Sequence, residues 1–140
     1  MNELNLMTKT LLTIEKALHS RLKAEDISPV SVQVFPSWEE GFKGHKRKRG
    51  VYVIFDEEEM IYVGKGFFSA RNKSHYDKAT NKANYNPKGW IWFKENYNYS
   101  IDNWHLFLIE LSSEIDITFM EGALIKDLRP IANDEVYIDR

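Results

Sequence analysis

Cysteine is absent from this chain. That excludes disulfides, thiol nucleophiles and Cys-ligated zinc, and it fits a reducing compartment. Long apolar runs are missing too, for no stretch approaches the roughly 20 residues that a membrane-spanning helix needs. The N-terminus also lacks the basic-then-apolar order of a signal peptide. These absences lead us to expect a soluble, intracellular protein, cytoplasmic and without a membrane partner. Internal repeats and low-complexity tracts are lacking, and so is a strong net charge, which is only −2 at pH 7.

What is present is enough for one folded unit. Of 140 residues, 43% are hydrophobic and 14% aromatic, ample material for a core. The small net charge hides an uneven distribution. Between Lys43 and Lys88 basic residues outnumber acids, and most of the acids there lie in the run Asp56–Glu59. Lys46, Arg47, Lys48, Arg49, Lys65 and Lys73 therefore make a local positive field of the kind that phosphate backbones bind.

Periodicity gives the order of elements. Met7, Leu11, Ile14, Leu18 and Leu22 recur at helical spacing, which predicts an amphipathic helix over 7–23. Pro29 stops it, and residues 30–34 alternate like a strand. Residues 36–48 read as a loop. Val51–Phe55 and Met60–Val63 are apolar runs around a polar turn at 56–59, the pattern of a tight hairpin. Helices are predicted over 69–79, 90–96 and 117–128, with a strand over 104–111. The layout is α+β, a small, mostly antiparallel sheet of about three strands flanked by helices, with an N-terminal helical extension. We expect residues 1–45 to form that helix and a lead-in strand and loop, and residues 46–140 to form the main domain.

The hairpin carries two Gly/Tyr strings, Gly50-Val51-Tyr52 and Tyr62-Val63-Gly64, followed by Lys65-Gly66. Small residues there let backbone approach a ligand closely. Arg71 and His75 stand four apart, on one helix face. Glu121 is set among Phe119, Met120, Ala123, Leu124 and Ile125, and a carboxylate on such a face is costly unless it is paired or metal-bound. Asn133 follows Pro130 in a P-x-x-N segment. Each piece has an ordinary structural reading: hairpin tyrosines pack, i,i+4 Arg/His pairs face solvent, and the aromatics between Tyr76 and Tyr99 form a core. Together, and in this order, they are specific.

From about Arg49 to Asp134 the chain resembles the GIY-YIG nucleases, with Val in place of Ile in both strings. The resemblance implies a metal-dependent endonuclease that hydrolyses phosphodiester bonds in DNA through a single-metal site, with Mg²⁺ or Mn²⁺ as cofactor. It implies that Glu121 holds the ion and that Arg71 contacts the scissile phosphate. Tyr52 handles the attacking water, Tyr62 completes the site, His75 relays the proton, and Asn133 orients Glu121 or the phosphate. An ordinary tyrosine, with a pKa near 10, is a poor base at neutral pH, so neighbouring cations are expected to lower it. Lys46, Arg47, Lys48, Arg49, Gly64, Lys65 and Lys73 are the expected nucleic-acid contacts. Two other readings compete: a nucleic-acid-binding module that keeps the nuclease fold but cuts weakly or not at all, and a homodimer formed through the 7–23 helix. The stretch 78–103 is longer than a minimal module of this kind, and residues 1–45 match nothing in the pattern.

Overall fold

The computed structural model describes residues 9–80 and 100–133, the side chain of Lys78 excepted. In chain order the elements are α1 (Lys9–Ala24), β1 (Ser31–Phe35), α2 (Trp38–Lys43), β2 (Arg49–Phe55), β3 (Met60–Phe67), α3 (Phe68–Ala79), β4 (His105–Glu110) and α4 (Glu114–Leu128), with a short 3₁₀ turn at Ile101–Asn103. The helix expected over 90–96 lies outside the described residues.

The four strands form one sheet in the order β1-β4-β2-β3, and every pairing is antiparallel. The expectation of about three strands was one too few. β1, read from sequence as a lead-in, pairs with β4 along its whole length, from Ser31 opposite Glu110 to Phe35 opposite Leu106.

Strand β2 organises both layers. Val51 through Phe55 are all fully buried, as a central strand covered on both faces requires. Alternation then sends successive side chains to opposite layers. Val51, Val53 and Phe55 join Leu11, Ile14 and Leu18 of α1 and Ile117, Met120 and Leu124 of α4. Tyr52 and Ile54 join Trp38 and Phe42 of α2, Phe68 of α3 and Trp104. The apolar stripe of α1 is thus buried within its own chain. Arg21 ties α1 to α4 with two hydrogen bonds to Asp127, at 2.8 and 2.7 Å.

Local chemistry fixes the element ends. Asp56 Oδ1 accepts from the backbone N–H groups of Glu58 and Glu59, at 2.8 and 2.7 Å, and so closes the hairpin turn. Ser113 caps α4 by accepting from the Asp116 amide. Arg129 ends it in the left-handed region at φ 51°, and Pro130 follows. The stretch 36–48, expected as a loop, contains α2. Its helix is signalled by Ser37 and Glu40 in capping-box spacing, and the Ser37 side chain accepts from the Glu40 amide. Gly41 obscures that signal, yet a Cβ there would lie 2.8 Å from Phe35 Cβ, so the helix can approach the sheet only with glycine.

After α4 the chain returns along the outer edge of β3. Ile131 and Ala132 donate to the carbonyls of Met60 and Ile61. The buried Asn133 side chain then completes the edge: Oδ1 accepts from the Val63 amide and Nδ2 donates to the Val63 carbonyl, both at 2.8 Å. Replacing Asn133 by Ala strands two backbone groups, at a cost of about 2 kcal/mol or more. Urea denaturation should show a midpoint lowered accordingly with an unchanged slope.

Candidate active site

The hairpin register places the two tyrosines. Tyr52 on β2 faces Gly64 on β3, and Tyr62 on β3 faces Ile54 on β2. Tyr52 is fully buried and its ring lies across the Gly64 backbone. A Cβ at position 64 would come within 2.3 Å of the phenol oxygen and 2.4 Å of Cζ. Only glycine leaves room for that hydroxyl.

Helix α3 supplies what the hydroxyl meets. Buried His75 brings Nε2 to 3.0 Å from Tyr52 Oη, and its ring centre stands 4.5 Å from that of Tyr62. The two tyrosine rings are 6.4 Å apart, so three rings make one cluster. Several contacts hold α3 in register. The Phe68 amide donates to Lys48, Ser69 Oγ donates to the Phe42 carbonyl, and Asn72 accepts from Trp38 Nε1 while donating back to Phe68. Asn72 is fully buried, yet no sequence pattern marked it: it lies between Arg71 and His75 but serves the helix.

Arg71, one turn before His75, reaches the same phenol. Its stem crosses Gly66, where a Cβ would lie 2.9 Å from Arg71 Cγ. Gly66 itself has φ +123°, a region that L side chains rarely adopt. Burial and the neighbouring Tyr62 push the Tyr52 pKa up, and the Glu121 carboxylate adds to that. The charge of Arg71 and its hydrogen bond to the phenol act in the opposite direction but do not prevail. The expectation that nearby cations lower this pKa is therefore corrected. Burial wins, and Tyr52 stands as a neutral phenol at neutral pH.

Glu121, half-buried on α4, is close enough for its charge to act on Tyr52. One turn earlier on α4, Thr118 accepts a 3.0 Å hydrogen bond from Lys65 Nζ, which brings a cation to the stretch of α4 that carries Glu121. Sequence reasoning passed over Thr118, whose only signal is its i−3 spacing from Glu121. Among the described residues no group of three or more His, Cys, Asp or Glu gathers to cage a metal. Glu121 alone suits a hard divalent ion that takes a single carboxylate and completes its shell with water and phosphate oxygens.

The other expected site residues are placed differently. Asn133 engages Val63, on the strand between Tyr62 and Gly64. Arg49 spans to Glu114 Oε2 at 3.0 Å and the Ser112 carbonyl at 2.9 Å, pinning β2 to the start of α4. Lys73 pairs with Asp77 at 3.1 Å, but its side chain is 69% exposed, and such a pair is worth about 0–1 kcal/mol. Lys46 and Arg47 are exposed and Lys48 is half-buried, on the loop leading into β2. His45, which opens the basic run, is buried edge-on against Phe35 and Phe68. Tyr76 packs against Trp38 and Phe42 and donates to Glu39.

No family model matches the chain, and no curated protein matches it. It is similar to solved structures of the GIY-YIG N-terminal endonuclease domain of UvrC from Thermotoga maritima. The magnesium-bound form is 21% identical, with a TM-score of 0.46 over 69% of this chain and 94% of that one. A point mutant bound to the catalytic divalent cation is 20% identical, with the same TM-score and 93% of its chain covered.

The packing of Tyr52 on Gly64 has a measurable consequence. Gly64→Ala forces the phenol away from His75 and destabilises the chain by roughly 1–3 kcal/mol. Thermal unfolding should report the loss, and Tyr52 fluorescence or NMR the displaced ring.

Proposed function

We propose that this chain is a divalent-metal-dependent endonuclease that hydrolyses phosphodiester bonds in DNA. One observation carries the reading: a buried phenol hydrogen-bonded to a buried imidazole, with an arginine of the same helix bonded to it and a carboxylate of α4 close enough for its charge to act on it. A purely structural tyrosine needs one partner for its hydroxyl, and this one has three polar side chains, His75, Arg71 and Glu121, acting on it.

The chemistry follows from what each group can do. Arg71 is exposed at the edge of the cluster, and its planar fork matches two phosphate oxygens. It would hold the scissile phosphate over Tyr52. The raised phenol pKa argues against a free phenolate as base. Instead Tyr52 passes a proton along. As water attacks phosphorus, its proton moves to the phenol oxygen while the phenol proton moves to His75 Nε2. The new bond is O–P, and the bond that breaks joins phosphorus to the leaving oxygen. This relay requires the His75 tautomer with Nε2 unprotonated. A divalent ion, Mg²⁺ or Mn²⁺, held by Glu121 would supply charge for the phosphate and the departing oxygen. Tyr62 holds the imidazole ring in place. Asn133 acts as a positioning residue, locking the strand that carries Tyr62 and Gly64.

Lys65, tethered at Thr118, would face the phosphates beside Glu121, and Lys46, Arg47 and Lys48 would extend that contact along the strand. Lys73 would exchange Asp77 for phosphate at little cost, and Arg49 would contribute from its place beside Glu114. A double-strand cut would need two such sites, hence a second copy of the chain or a reorientation on the DNA.

Incubation with plasmid and oligonucleotide DNA tests the proposal. Cleavage should require Mg²⁺ or Mn²⁺, stop in EDTA, and fall by a factor on the order of 10²–10³ in Glu121→Gln. Full activity in EDTA or in that variant would sink it. Salt-sensitive binding without products under any divalent ion would leave a binding module instead. The relay has its own check: Tyr52→Phe and His75→Ala should each lower the rate by about 10²–10⁴, and the double variant should be no slower than the worse single one.

A further inference from the structure

Phe67 is 51% exposed, whereas every other Phe, Tyr and Trp among the described residues is buried or half-buried. It closes β3, opposite Arg49, and the next residue donates its amide to Lys48 to begin α3. Lys65, two residues earlier, shares its face of β3, Arg49 opposite it reaches to Glu114, the exposed Lys46 and Arg47 precede Lys48 on the adjoining loop, and Arg71 follows four residues later on α3. A lone apolar side chain on a surface is ordinary. An exposed aromatic face with cations on the neighbouring segments is the arrangement that holds single-stranded nucleic acid, because bases stack while the cations follow the phosphates.

We propose that Phe67 is a stacking platform for an unpaired DNA base, and that the site selects single-stranded or locally opened DNA. The proposal rests on the nuclease reading for its choice of DNA and adds the class of strand that is taken. Inside a duplex both faces of every base are covered by neighbours, so Phe67 gains a partner only where the stack is interrupted. The cations alone bind phosphates in either form. Discrimination therefore falls to Phe67.

Binding in EDTA keeps this separate from cleavage. Fluorescence anisotropy with the full chain would compare an oligo-dT strand, an abasic strand of equal length and a duplex. The expected result is tighter binding to oligo-dT than to the abasic strand. Phe67→Ala should remove that preference with an affinity loss on the order of tenfold, and Phe67→Trp should retain it. The slope of log affinity against log salt should stay the same in Phe67→Ala, since no phosphate contact is lost. Circular dichroism would confirm that the variants fold. Equal binding of oligo-dT and abasic strands by the unmodified chain overturns the proposal, as does an equal loss on both strands in Phe67→Ala. A chain that cleaves DNA with Mg²⁺ but shows no base preference loses this inference alone, whereas a chain that prefers bases but never cleaves loses the nuclease reading.

Discussion

The buried hydroxyl of Tyr52 is the constraint around which the rest of the molecule is arranged. A phenol oxygen taken out of water and left without a partner costs about 1–3 kcal/mol, more than the 0.5–1.5 kcal/mol that an ordinary hydrogen bond returns. The position is therefore tolerable only if a partner is fixed in place. His75 provides it at 3.0 Å, and that requirement sets where α3 must lie. The contacts of Phe68, Ser69 and Asn72 with α2 and the loop before β2 are what keep α3 there. Arg71, one turn away, arrives at the phenol as a consequence of the same placement.

The second support is at the edge of the sheet. β3 is an outer strand, and outer strands are free to fray or to pair with other chains. Here the segment after α4 covers it with two backbone hydrogen bonds and the Asn133 amide, whose two bonds to Val63 imitate a pair of ladder bonds. This contact fixes Tyr62 and Gly64, and it also anchors the end of the segment that begins with α4. The carboxylate of Glu121 and the tyrosine pair are thus held by one continuous stretch of backbone. Asn133 looks like a site residue in the sequence because it stands where the site is assembled.

How far the sequence could be read depended on whether a feature announces itself locally. The hairpin was legible because Val51–Phe55 and Met60–Val63 are apolar runs around a turn whose first residue, Asp56, closes it. Helices α1 and α4 were legible from their apolar spacing, although 1–8 lie outside the described residues. The α2 helix was missed because a six-residue helix with a central glycine has too little periodicity to see, and only its Ser37/Glu40 cap spoke for it. The fourth strand of the sheet was present as a strand but not as a partner, for pairing across some 79 positions leaves no mark in either segment. In the site, Tyr52, His75, Arg71 and Glu121 stand in a recognisable order. Asn72 and Thr118 act through positions that only packing defines.

The direction of the Tyr52 shift is where sequence reasoning erred most usefully. Counting nearby cations suggested an acidified phenol, but the count ignores how unequally each group is solvated. Arg71 is exposed, so water screens its charge, whereas the phenol has no water to stabilise its anion. A phenol in that setting keeps its proton unless another group takes it in the same step, and His75 stands within hydrogen-bond reach to take it, whereas Arg71 can only donate. A phosphate bound by Arg71 would displace water from that side of the cluster, which strengthens the guanidinium's pull on the phenol oxygen. The same displacement would leave Glu121 less screened and more costly to hold as a bare anion. On the proposed reading, an incoming phosphate would therefore make a divalent ion at Glu121 more favourable, and substrate and ion would bind with mutual reinforcement.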